Sequence, residues 1–258
     1  MDPKTLPPTK PIILIYNGDG VAPACALTTL RSFINVPEQA YTLSVINHQH
    51  VLNTAWEDNC ILFVMPGGRS TPYYAALGED GNRRIRAFVE QGGNYLGICA
   101  GGYYGARLTE FARGLPHEIV RDGALCFFNG TAKGPAYDAH DFSYNSQQNA
   151  RIVTITLDRH EHHQVYYNGG CYFIDAEKYN HTSVLARYAD SKHPAIIECH
   201  YGAGKALLSG VHFEYSYHAL DALEPKECGL YQKLHSLETT RQTLFNQVVQ
   251  RLLTNPIH

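Results

Sequence analysis

The chain has 258 residues, 44% of them apolar and 17% charged, with a formal net charge of −3 when the histidines are neutral. That balance belongs to a soluble globular protein with a full core; it argues against disorder and, lacking a long basic run, against nucleic acid or an anionic membrane as partner. Seven cysteines (Cys25, Cys60, Cys99, Cys126, Cys171, Cys199 and Cys228) make no CxxC pair, which speaks against a disulfide framework or zinc cluster and for a reducing cytoplasm.

In chain order, residues 1–10 (MDPKTLPPTK) lack a hydrophobic signal core and read as a mobile leader to a single domain over 11–258. Ile12 to Tyr16 is a β-branched strand run that ends in the turn cluster Asn17-Gly18-Asp19-Gly20. A helix over about 22–33 follows, then strands at Tyr41–Ile46 and Cys60–Met65, the latter stopped by Pro66-Gly67-Gly68. These apolar runs are strand-sized, too short to span a bilayer. Residues 82–91 place Ile85, Phe88 and Val89 on one helical face, and Gly92-Gly93 ends that helix before a fourth strand, Asn94–Ile98. Strand–helix alternation at this spacing predicts an α/β fold, a parallel sheet covered by helices on both faces.

From about 110 to 200 the pattern changes to short strand runs between polar turns: Ala124–Phe128, Ile152–Leu157, Cys171–Ile174, Val184–Tyr188 and Ala195–Cys199. No Pro/Ser/Gly linker divides them from the rest, so they read as antiparallel structure added to the same domain. Gly202-Ala203-Gly204-Lys205 is a hairpin turn, Ala206–Ser209 a further strand, and 236–253 a terminal helix with an apolar stripe through Leu244/Phe245, Val248/Val249 and Leu252/Leu253.

The chemistry centres on GGNYLGICAGGYY. A strand ending in Cys99, with Gly97 before it and Gly101-Gly102 after it, has the form of a nucleophile elbow, where a sharp turn leaves no room for neighbouring side chains. A lone cysteine is more often inert core; the glycine context reverses that reading. The helix to follow would set its N-terminus beneath the sulfur and favour thiolate, with the Ala100 N–H facing a developing oxyanion. A cysteine nucleophile needs a base and a group to orient it, and Val211-His212-Phe213-Glu214 supplies both two residues apart in an extended segment. Gly67 or Gly68, at the end of the third strand, offers a second oxyanion donor or simply a Pro-Gly turn.

Tyr166-Tyr167-Asn168-Gly169-Gly170 reads two ways: as a cleft wall, with Asn168 presenting donor and acceptor to an amide, or as a glycine turn flanked by packing rings. In Arg159-His160-Glu161-His162-His163, His160 and His162 share a strand face, but no third ligand is identifiable and a solvated loop is the better reading; Tyr137-Asp138-Ala139-His140-Asp141 is equally open. Neither a cofactor nor a metal is required by these patterns.

Together the PGG turn, the GxCxGG elbow and the late HxE resemble, in type and order, the class I glutamine amidotransferase superfamily. GGNYLGICAGGYYGA, YYNGG and SGVHFE are most similar to the amidotransferase-like N-terminal region of eukaryotic-type biotin–protein ligases, a region that also occurs as a stand-alone protein. The likeness runs from about Pro11 to Leu253. It implies a flavodoxin-like core with Cys99 as nucleophile, His212 as base and Glu214 as orienting acid. The pattern departs at Tyr103, where glutamine-hydrolysing members carry glutamine, and at Phe213, where proline is usual. The ligase catalytic module, with its GRGR-type loop, has no counterpart in this sequence.

The leading expectation is a cysteine-dependent amide hydrolase or acyl-transfer enzyme that is not a glutaminase. It would act on a small-molecule or peptide-like amide held by Tyr103, Tyr166, Tyr167, Asn168 and Gly169. The alternative is a non-catalytic binding or regulatory module that docks on a protein partner. A glyoxalase-like or redox thiol protein on a related fold fits less well, because the acid such proteins place ahead of the cysteine has only Asp19 as a match.

Overall fold

The computed structural model describes residues 10–37, 40–137, 147–157, 161–220 and 229–254. Residues 1–9 of the expected leader, Asp138–Asp141, Arg159, His160 and Cys228 fall outside that set. In chain order the elements are β1 (Ile12–Tyr16), α1 (Pro23–Ile34), β2 (Thr42–Ile46), α2 (His48–Asn53), β3 (Cys60–Met65), α3 (Ser70–Glu90), β4 (Asn94–Ile98), α4 (Ala100–Tyr104) and β5 (Ala106–Phe111). There follow β6 (Ile119–Asp122), β7 (Phe128–Gly134), β8 (Arg151–Leu157), β9 (His162–Tyr167), β10 (Tyr172–Phe173), β11 (Thr182–Tyr188), β12 (Pro194–Tyr201), β13 (Gly204–Ser209) and α5 (Gly229–Leu253).

The period-2 alternation of apolar side chains along the central strands builds two cores, one on each face of the sheet. Leu14, Tyr16, Phe63, Met65 and Tyr95 join Ile85, Phe88 and Val89 of α3 on one face. Ile13, Ile15, Leu62, Val64, Leu96 and Ile98 meet Phe33 of α1 and Leu244, Phe245 and Val248 of α5 on the other. The expected stripe of the terminal helix therefore faces the sheet.

The main sheet has nine strands in the order β2-β1-β3-β4-β13-β12-β11-β8-β9. Pairings from β2 through β13 are parallel, and those from β13 through β9 are antiparallel. A second sheet, β10-β7-β5-β6, packs its Phe111, Phe128 and Phe173 into the α3 side of the core. The added region thus divides in two: β8, β9, β11 and β12 extend the main sheet, while β5, β6, β7 and β10 form the separate layer that shapes the cleft.

Three expectations need correction. Ala124–Phe128 is not a strand: pairing begins only at Phe128. Leu125 and Phe127 are buried in loop conformation, Phe127 packing on Tyr95 with ring centroids 5.0 Å apart. The helix read over 82–91 starts at Ser70, its first part set off by a kink at Gly78 (φ 58°) that breaks the apolar periodicity. The terminal helix begins at Gly229, ahead of the apolar stripe. Among the described residues no helix is long and apolar enough to cross a membrane.

Candidate functional site

Because β4 lies between β3 and β13, both parallel to it, its C-terminal end points out of the middle of the sheet. Ligand sites of open α/β sheets collect at such strand ends. Cys99 is the first residue past that end. Its backbone N–H donates to the Ser209 carbonyl at 2.7 Å, and it adopts φ 51°, ψ −104°, a region that side-chain-bearing residues avoid. The turn is tight: a methyl on Gly101 would overlap the Met65 carbonyl oxygen. The helix that follows has only the five residues Ala100–Tyr104. A helix this short contributes little macrodipole.

His212 is fixed by its neighbours. Its N–H donates to the Tyr166 carbonyl at 3.0 Å, and the ring lies against Tyr166 and Tyr215, which stack on each other at 3.9 Å. The Nδ1 of His212 and the Oε1 of Glu214 are 2.8 Å apart, both residues being almost fully buried. Burial works against charge on the imidazole, but Glu214 and the neighbouring thiols more than offset it and hold its pKa well above the ordinary histidine value. The His-x-Glu spacing thus places the pair in one hydrogen bond.

Gly67 is the shared neighbour of His212, Cys25 and Cys99. A methyl there would lie 2.6 Å from His212 Cε1, 3.0 Å from Cys25 Sγ and 3.5 Å from Cys99 Cβ. Cys99 and the imidazole therefore flank one glycine of the PGG turn. Cys25, on α1, was not anticipated as part of the site. Its Sγ, a ring nitrogen of His212 and a carboxylate oxygen of Glu214 all lie within 4.8 Å of one another. Burial pushes the Cys25 thiol pKa up, with His212 pulling the other way. Gly67→Ala is expected to push the imidazole aside, slowing any thiol chemistry at Cys99 by about 100-fold, as an ångström-scale misplacement does. An unchanged rate of Cys99 acylation in the folded variant would show that the imidazole is not used.

Cys99 lines a cleft of about 40 Å³. Gly68, Ala100, Asn168 and Gly169 line it with Tyr103, and Phe111 and Ile119 of the second sheet close the far side. Tyr103 donates from its hydroxyl to the Gly169 carbonyl at 3.1 Å, so its ring ties α4 to the Asn168-Gly169 turn. Cys99 Sγ makes a long 3.8 Å contact to the Asn168 carbonyl. The other two predicted cleft residues are placed elsewhere. Tyr166 stacks behind His212, and Tyr167 donates its hydroxyl to the Gly170 carbonyl at 2.9 Å within the core. Both readings of YYNGG thus hold in part: its rings pack, and its Asn-Gly edge faces the cleft.

Arg241 of α5 is a second unanticipated residue. Though only 4% exposed, it donates to the Ser32 hydroxyl at 2.9 Å and to the Phe213 carbonyl at 3.1 Å, between His212 and Glu214. Its signal in the sequence is a charge on the helix's apolar stripe, one turn before Leu244/Phe245.

Comparison with known proteins bears on the family and the fold. The family described as "Biotin-protein ligase, N terminal" matches residues 12–255. A biotin–protein ligase of Schizosaccharomyces pombe is 33% identical over 93% of this chain, which spans only 37% of that ligase. A Chlamydia muridarum protein is 34% identical over 95% of this chain and 96% of its own length. Among solved structures, a glutamine amidotransferase of Thermotoga maritima superposes with a TM-score of 0.61 at 13% identity, covering 95% of this chain and 99% of that one. Another glutamine amidotransferase gives 0.56 at 17% identity, over 78% of this chain and 90% of its own. At such identities these two speak for the fold alone. The chain belongs to the biotin–protein ligase N-terminal family and has a class I glutamine amidotransferase-like fold.

Proposed function

We propose that this protein is a cysteine-dependent amide hydrolase or acyl-transfer enzyme in which Cys99 is the nucleophile. The supporting observation is the position of Cys99: held at a strained elbow, in the wall of a cleft, with the His212–Glu214 pair across Gly67. Attack of the Cys99 thiolate on a substrate carbonyl forms the C–S bond and moves charge to the carbonyl oxygen. The amides of Ala100 and Gly68 (or Gly67) are the donors nearest to that charge along the chain. His212 carries the proton to the departing amine, leaving a thioester. Water or an acceptor amine, its proton taken by the same imidazole, then releases the acyl group. Glu214 keeps the imidazole in one tautomer and orientation.

The cleft suits a short acyl group that is apolar or planar, set between Tyr103, Phe111 and Ile119. Glutamine is a poor fit, because the Tyr103 ring replaces the side chain expected to recognise it. The free thiols among the described residues suit a reducing cytoplasm. The test is intact-mass analysis with an activated acyl ester. One adduct should form on the Cys99 peptide, and His212→Ala should slow its formation. In parallel, ammonia release from glutamine should not exceed that of Cys99→Ala. An adduct that forms at equal rate without His212 would overturn the proposal.

The family match favours a second reading, a regulatory module of the ligase N-terminal type that docks on a protein partner without turnover. A folded wild-type chain that takes no acyl adduct, but binds a ligase or carboxylase partner, would decide for it.

A further inference from the structure

We propose that Cys25, His212 and Glu214 form a binding site for a soft divalent cation, Zn²⁺, that takes the imidazole away from Cys99. The three donors come from distant parts of the chain, α1 and the segment after β13, and all lie within 4.8 Å of one another. Tetrahedral zinc with bonds of about 2.0–2.3 Å sets its ligands roughly 3.3–3.8 Å apart, so ligation replaces the 2.8 Å His212–Glu214 hydrogen bond with bonds to the metal and draws in the Cys25 thiol, which lies within 4.8 Å. Thiolate, imidazole and carboxylate are the three donor types zinc sites use.

A second observation points the same way. Glu214 Oε1 contacts His212, but its Oε2 is fully buried and has no hydrogen-bond donor among the described residues. A buried carboxylate oxygen left without a partner is costly, and a bound cation would satisfy it. The Cys25 thiol is likewise buried, yet it abuts the one imidazole the proposed chemistry needs. Cation binding stands on this geometry alone; its inhibitory effect rests on the function proposed above. With His212 and Glu214 on the metal, no base remains to serve Cys99, and acylation stops until a chelator removes the ion.

The experiment titrates Zn²⁺ into the full chain against a chromophoric chelator and repeats the titration with Co²⁺ for its absorption spectrum. Wild type and Cys99→Ala should each bind one equivalent and show thiolate-to-cobalt charge transfer. Cys25→Ser should lose that band and bind Zn²⁺ at least about 100-fold more weakly, beyond the usual loss for an outer-shell partner. X-ray absorption on the zinc-loaded wild type should count one sulfur at about 2.3 Å, a readout that needs no variant. No binding by wild type, a zinc shell without sulfur, or a band kept in Cys25→Ser and lost in Cys99→Ala would each overturn the site. Zn²⁺ should also block acylation of Cys99 in wild type and leave that of Cys25→Ser unaffected. Binding without this block would remove the inhibitory role, whereas acylation without any binding would remove the metal site and leave the proposed function standing.

Discussion

Cys99→Ala is expected to lower acyl-probe labelling by about 1,000-fold or more, as removal of a nucleophile does, while the chain stays folded. Cys99→Gly should lose labelling to the same degree but unfold at a higher temperature than Cys99→Ala. The reason lies in the backbone. At φ 51°, ψ −104° a Cβ is crowded by the chain on both sides. For glycine the same angles are the mirror image of an ordinary extended conformation and carry no penalty. Strain of this kind is worth about 1–3 kcal/mol, and the entropy of a new glycine gives back about 0.5–1. The net gain of Gly over Ala then lies between about 0 and 2.5 kcal/mol, at about 2–4 °C per kcal/mol for a domain of this size. Both variants lose the thiol and its packing, so their difference reports the strain less the glycine entropy. A Cys99→Gly melting temperature below that of Cys99→Ala would mean the elbow is relaxed, and equal labelling of wild type and Cys99→Ala would mean the nucleophile is another residue.

How far such features could be read without coordinates depends on whether their determinants are local. The elbow is local: strand, cysteine and three glycines fall within nine residues of sequence, Asn94 to Gly102. The His-x-Glu pair is local as well, since an extended backbone sets two side chains on one face whatever surrounds them. The parallel strands announce themselves because burial on both faces demands unbroken apolar runs such as Cys60–Met65. The second sheet does not. In β5, Arg107 and Glu110 break up the apolar residues, and β6 has only four residues with an exposed Val120. Leu125 and Phe127 mimic a strand because burial asks for apolar side chains, not for a ladder. Cys25 was hidden for another reason: it looks like any cysteine of an amphipathic helix. Only the packing of α1 near the segment after β13 brings it to His212, 187 positions along the chain.

The largest stability effect is expected away from the thiol, at Arg241. Its guanidinium is almost fully enclosed and spends its donors on Ser32, Phe213, Glu238 and Gln242. The Ser32 hydroxyl in turn donates to the Glu214 carbonyl at 3.0 Å. One cation on α5 therefore holds the carbonyls of both Phe213 and Glu214, directly and through α1, which fixes the strip of backbone that carries His212. Arg241→Met fills the volume but leaves those acceptors and Glu238 without the charge. The expected loss is about 3–5 kcal/mol, the range for breaking a buried ionic network by removing one partner, or a melting temperature roughly 6–20 °C lower. Arg241→Lys should recover little, since a single ammonium cannot span the forked geometry. A positioning role makes a further demand, checked well below the melting temperature of every variant. There the folded Arg241→Met should acylate Cys99 about 10- to 100-fold more slowly, because His212 drifts from its place. Ser32→Ala should slow the same step by less, and in the double variant the two effects should fall short of their sum, as expected for residues acting through one network. A full loss of stability with an unchanged acylation rate would make Arg241 a fastener of α5 and nothing more.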